Sequence, residues 1–197
     1  MKRIISTIIV LLMALCLFPL SAFAGSYTIS ESGAYTMSAL GYANGDRITI
    51  GSGLIVTLIG DSVTTYTDFA ISCGAGTTLT LSNVNINDSG NNEVCPLTFT
   101  GSGNTLNLMG GTVSTLKGGL YRAGVSAGSG TVLTIRGNGT VNATGGAEGA
   151  GIGSNSGESS GNITIAGGTV NATGGQFSSG VGGGYRGGGT VTITGGE

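Results

Sequence analysis

The chain has 197 residues, of which 41 are glycine and only 8% are charged, and it contains neither His nor Trp. Without His there is no Ser-His-Asp or Cys-His catalysis and no His-ligated metal, and seven Lys and Arg residues are too few for a nucleic-acid surface. Glycine is far above the globular average of about 7%, yet 39% of the residues are hydrophobic. That balance predicts a folded chain with many tight turns.

Residues 1–24 read as a secretory signal peptide. Lys2 and Arg3 form a short positive start, and Ile4 to Phe18 is an almost unbroken apolar run. The run is too short for a comfortable membrane span of about 20 residues. Pro19 breaks it, and Ala22-Phe23-Ala24 supplies small residues at the two positions read by a signal peptidase. Cleavage is expected after Ala24, leaving a secreted chain with no stable membrane insertion. Leu15 before Cys16 argues against lipidation. Loss of Lys2 and Arg3 leaves five basic against nine acidic residues, a net charge of −4. Two cysteines remain, Cys73 and Cys95. In an oxidising compartment they are either a disulfide or two small buried apolar side chains.

Residues 25–45 carry Tyr and Met and lack Gly-Gly corners, so they are expected to form an N-terminal capping coil. From 46 to 197 the chain repeats. Gly76, Gly103 and Gly130 are evenly spaced, as are Leu79, Leu106 and Leu133, and weaker copies precede and follow. About six copies of a unit of roughly 23 to 30 residues result. Each unit holds short alternating runs of β-branched residues, such as Asn162-Ile163-Thr164-Ile165, separated by glycine corners. Period two means strand. The prediction is a right-handed parallel β-helix. Leu79, Leu106, Leu133, Ile163 and Val191 form one expected interior ladder, and Leu81, Leu108, Ile135, Ile165 and Ile193 the next. A hairpin-based sandwich would not explain the long constant period. At Gly195-Gly196-Glu197 the repeat stops. The chain reads as truncated or as one piece of a longer solenoid, with end-to-end association expected at exposed strand edges.

The strings GAGIGSNSG and GNITIAGGTVNATGG, with TISESGAYTM near the start and LIVTLIGDSV after it, resemble large secreted β-helical surface proteins of bacteria. These are adhesin-like or carbohydrate-binding-domain proteins. The resemblance implies, for some relatives, calcium-assisted binding of acidic polysaccharide. It rests on scaffold residues and carries over no ligand residue.

The residues themselves offer three candidate features. Thr140, Asn142 and Thr144 recur as Thr169, Asn171 and Thr173, giving outward polar rows that either stabilise the stack through hydrogen bonds or bind glycan. Tyr121, Phe177 and Tyr185 near corners could stack on sugar rings or cover the core. Asp61, Asp68, Asp88 and Glu93 are the acidic group that could hold calcium, set against ordinary solvated turns. No two mature carboxyls lie within four residues of each other, and hydrolysis of a glycoside needs a close pair. The expected function is a secreted, non-catalytic, adhesin-like surface module, with calcium-assisted polysaccharide binding as the alternative. Its expected partner is an extracellular polysaccharide or a cell-surface glycan.

Overall fold

The computed structural model describes residues 24–90 and 94–197. Apart from Ala24, the signal-peptide segment lies outside the described residues, as does Glu93. The chain winds through successive coils, each contributing one strand to each of up to three sheets. The first coil supplies β1 (Ser26–Ile29) and β2 (Gly33–Thr36). The second supplies β3 (Arg47–Ile50), β4 (Ile55–Ile59) and β5 (Thr65–Tyr66). The third supplies β6 (Ala70–Cys73), β7 (Thr78–Ser82) and β8 (Asn85–Asn87). The fourth supplies β9 (Leu97–Phe99), β10 (Asn104–Leu108) and β11 (Val113–Lys117). The fifth supplies β12 (Val125–Ala127), β13 (Val132–Gly137) and β14 (Thr140–Thr144). The sixth supplies β15 (Ile152–Gly153), β16 (Asn162–Ala166) and β17 (Thr169–Thr173). After these come β18 (Val181–Gly182) and β19 (Thr190–Gly195).

Sheet neighbours always come from adjacent coils. Sheet A runs β1-β3-β6-β9-β12-β15-β18, sheet B runs β2-β4-β7-β10-β13-β16-β19, and sheet C runs β5-β8-β11-β14-β17. All paired strands are parallel. This is the parallel β-helix that the periodicity predicts. Among the described residues no hairpin joins neighbouring strands, because the chain must travel a whole coil before it meets its own neighbour.

Alternation places one face of every strand inside. In sheet A, Ile48, Ile71, Leu97, Val125 and Ile152 stack and are fully buried. In sheet C, Tyr66, Ile86, Leu116 and Ala143 stack beneath the outward polar residues. Met37 is buried in the first coil, and Tyr42 packs edge-on between Tyr27 and Phe69. At the other end β19 is exposed along most of its length, and Ile193 is 70% exposed.

The interior ladders of sheet B differ from the expected ones in one respect. Leu106 pairs with Leu79 as expected, but on its other side it pairs with Ile135, while Leu133 faces Asn104. The continuous ladder is therefore Val56, Leu79, Leu106, Ile135, Ile165 and Ile193. The apolar pair moves sideways by two residues between β10 and β13. A two-residue step keeps every side chain on its own face, so Leu79, Leu81, Leu106, Leu108, Leu133, Ile135, Ile163 and Ile165 are buried as expected, whereas Val191 and Ile193, on the exposed strand β19, are not.

Two local features produce the step. Asn104 is buried, its Oδ1 accepts from the Thr77 amide at 3.1 Å, and its Nδ2 donates to the carbonyls of Thr100 and Gly101. At the far end Leu108 faces Gly137, whose φ is 111°. A Cβ there would overlap the Leu108 carbonyl oxygen. The amides of Asn138 and Gly139 both donate to that oxygen at 3.1 Å.

The glycine corners are of two physical kinds. Gly53, Gly76, Gly103 and Gly130 all have φ between 71° and 82°, the left-handed region where side chains are strained. Gly146 and Gly175 have no such φ. They are glycine because a Cβ on Gly146 would overlap the Gly119 carbonyl, and one on Gly175 would overlap that of Gly146.

Candidate functional site

The outward face of sheet C carries the polar rows seen in the repeat. Thr140 pairs with Thr169, Asn142 with Asn171, and Thr144 with Thr173. Asn171 Nδ2 donates to Asn142 Oδ1 at 2.9 Å, so the middle row is a hydrogen-bonded amide ladder. The register extends that row back through Thr115 to Asn85 and Thr65. The neighbouring row runs from Asn87 through Lys117 to Thr144 and Thr173. Thr65, Asn85, Asn87, Thr115 and Lys117 line a shallow depression of about 220 Å³. A cation thus sits within a field of hydroxyls and amides.

Sheet B holds a row of equal length, all threonine, that the repeat alignment missed. Thr78, Thr105, Thr134, Thr164 and Thr192 stack over five coils. Each directly precedes a residue of the true Leu79–Ile193 ladder. The expected register hid this row, because it set Val132 where Thr134 stands.

The corner aromatics are partly brought together. Phe177 is 74% exposed, and its ring centroid lies 6.1 Å from that of Tyr185. The Arg186 guanidinium carbon lies 5.0 Å from the Tyr185 centroid. Phe177 and Arg186 both have left-handed φ, 65° and 60°, a conformation that large side chains adopt at a cost. Tyr121 shares the same side of the molecule. The Ser156 amide donates to the Tyr121 carbonyl and the Gly157 amide to that of Tyr185. Beside them Ser156 Oγ holds the Glu148 carboxylate at 2.6 Å.

A second aromatic group lies at the first coil. Tyr27, Tyr35, Tyr42 and Leu40 line a cleft of about 320 Å³ with Glu31 at its edge. Burial, then Tyr27, Tyr35 and Asp46, push the Tyr42 hydroxyl above its usual range. The three tyrosines all come from the Tyr-bearing stretch 25–45, and the fold of the first coil sets them around one cleft.

Of the four expected acidic residues, Asp61, Asp68 and Asp88 are described, and each has partners of its own. Asp61 is exposed and accepts from the Val63 and Thr64 amides and the Thr64 hydroxyl, which together hold its carboxyl below the usual range, the Thr64 hydroxyl most of all. Asp68 pairs with Arg47 at 2.8 Å, and its carbonyl accepts from the same guanidinium. Asp88 is buried. Its Oδ1 accepts from the Phe69 amide while Oδ2 has no partner, and burial pushes its carboxyl up to about 6. Among the described residues no three Asp, Glu, Cys or His side chains converge as a metal cluster. The reason is local: each Asp answers the backbone or cation of its own corner.

The disulfide is not formed. Cys73 pairs with Phe99 across sheet A, and Cys95 lies four residues before Phe99. Cys95 lies outside β9, before the bend at Pro96, and both thiols are free. Cys95 Sγ donates to the Leu97 and Ala123 carbonyls instead, and Cys73 is buried. The alternative reading, two small buried side chains, fits Cys73.

No family profile, curated protein or solved structure matches the chain.

Proposed function

We propose that this chain is a secreted, non-catalytic surface module whose stacked coils hold an extended glycan by many weak contacts. The observation that supports it is the register of outward Thr and Asn side chains on sheets B and C. Parallel pairing repeats the same donors and acceptors at about 4.8 Å per coil, so a polymer laid along the rod meets equivalent groups again and again. Each contact is weak, and binding strength comes from their number. Phe177, Tyr185 and Arg186 add a stacking corner at one side of the rod.

The non-catalytic part of this reading rests on where the acids are. Asp61 is bound to its own turn, Asp68 to Arg47, and Glu148 to Ser156. Asp88 has the raised pKa of a general acid, but it is buried against Phe69.

The test is binding of purified 25–197 to pectins, xylans and peptidoglycan, with and without calcium, together with an assay for released reducing ends. Weak, length-dependent binding without turnover is expected. Phe177→Ala with Tyr185→Ala should weaken binding several-fold and leave thermal unfolding unchanged. Binding only with calcium would favour the calcium-assisted alternative. Turnover would overturn the proposal.

A further inference from the structure

The structure assigns Asp46 a partner that the precursor chain does not contain. Asp46 is 1% exposed. Its Oδ1 accepts from the Gly25 backbone nitrogen at 2.6 Å and its Oδ2 from the Ala43 amide at 2.8 Å. Both are neutral donors. The adjacent cation, Arg47, directs its guanidinium to the carbonyls of Gly45 and Asp46 and to Asp68, not to the Asp46 carboxylate. Among the described residues no ion pair involves Asp46. A buried carboxylate without a counter-charge is costly.

The missing charge is one bond away. Gly25 is the residue that the small-residue pattern Ala22-Phe23-Ala24 places first in the secreted chain. We propose that hydrolysis of the Ala24–Gly25 bond creates an α-ammonium that pairs with Asp46 and clamps the first coil. The step consumes one water. The Ala24 carbonyl carbon takes the oxygen and leaves as a carboxylate, and the Gly25 nitrogen becomes an ammonium. That nitrogen is already within hydrogen-bond distance of Oδ1, so a bond from a neutral amide to the carboxylate becomes an ion pair, with both partners charged, without movement of the strand.

The surroundings fit this role. Ala24 is exposed, so the bond can be reached. A Cβ at position 25 would stand 2.7–2.9 Å from the far end of the Tyr27 side chain, so a larger residue there would have to displace that ring beside the carboxylate. The Gly25 carbonyl accepts from the Arg47 amide at 2.8 Å, which fixes the nitrogen over Asp46. Pairing therefore ties β1 to the start of β3. The proposal rests on reading residues 1–24 as a signal peptide, and the two ideas are tested separately.

The full chain is secreted from a bacterial host and its intact mass is measured. A mature chain beginning at Gly25 is expected, and any other start overturns the processing site. The mature chain is then compared, by amide hydrogen exchange at Ala43 and Arg47, with the same chain acetylated at Gly25. The acetyl group occupies the place of the Ala24 carbonyl and methyl-bearing carbon, and so restores the neutral amide of the precursor. Acetylation should speed exchange about tenfold, equivalent to 1.4 kcal/mol, and Asp46→Asn should abolish the difference. Equal exchange in the free and acetylated wild-type chains overturns the clamp, whether or not Asp46→Asn folds.

Discussion

Gly146→Ala and Gly188→Ala make the same chemical change at two corners with opposite expected results. At Gly146 the added methyl would overlap the Gly119 carbonyl oxygen and stand 2.7 Å from that of Leu120. Relief requires opening the stack by more than an ångström at that point. The Gly146 amide, which donates to Arg122 at 2.9 Å, and the Gly175 amide, which donates to Gly149 at 2.9 Å, lie at the opened point. Overpacking typically costs about 1–3 kcal/mol, and one buried backbone group left unsatisfied costs about 1–3 kcal/mol more. The sum is about 2–6 kcal/mol. At Gly188 a Cβ meets nothing within 4 Å, and φ lies outside the left-handed region. Alanine there restricts the unfolded chain, and a gain of about 0.4–1 kcal/mol is expected. Urea unfolding of the mature chain, with both variants fitted to a common slope, measures the difference. If the two variants unfold at the same midpoint, the corner glycines are not kept by contact between coils, and that part of the reasoning fails.

Leu106→Ala removes a fully buried side chain from the middle of a six-coil ladder and should cost about 2–5 kcal/mol, whereas Asn171→Ser, on the exposed row, should stay within about 1 kcal/mol; equal losses in urea unfolding would contradict the assignment of faces. Asn104→Leu completes an apolar column but strands the Thr77 amide and the Thr100 and Gly101 carbonyls, so a net loss of about 1–3 kcal/mol is expected from the same measurement. Asp88 titrates higher in the folded chain, at about 6, than its unfolded value of about 3.9. The folded state therefore holds this proton more tightly, and stability should fall as pH rises from about 4 to 6 and then level off. Its share is at most about 3 kcal/mol. Asp88→Asn, which keeps an acceptor for the Phe69 amide, should raise stability at pH 8 and leave it unchanged near pH 4. A variant that tracks the wild type at both values would show that Asp88 is not the cause.

The coil, the sheets and the inside–outside pattern could be read because parallel stacking copies one residue pattern at a nearly fixed interval. Ile163 and Ile165, or Val141 and Ala143, announce their faces by alternation alone. What could not be read depends on pairing between coils. Leu133 looks equivalent to Leu106 by spacing, and only the hydrogen bonds of Asn104 and the bare backbone of Gly137 move it one step aside. Nothing in the sequence around Asp46 sets it apart from the other isolated acids. Its burial follows from the turn at Ala43 and from strand β1 lying over it. Phe177 and Tyr185 are legible as corner residues, but their approach to 6.1 Å across β18 shows only in the fold. Cys73 and Cys95 are close in sequence and look bridgeable. Cys73 instead ends β6 while Cys95 lies just before β9 on the next coil, where its thiol donates to the Leu97 and Ala123 carbonyls.

The sideways step between β10 and β13 has a consequence for how such a chain can grow or shrink. Where neighbouring coils fill the same interior columns, a coil can be duplicated or lost and the new neighbours still match. Across the step they do not match. The β10 strand presents Leu106 and Leu108 to one side and fills the column of Leu133 with Asn104, so it serves as an adaptor between two stacks with offset cores. Removing the coil that carries β10 would set Leu133 against Thr77 and leave Leu81 facing glycine. Gain and loss of coils should therefore be tolerated on either side of this joint and opposed across it, so that the rod is modular in two blocks rather than one.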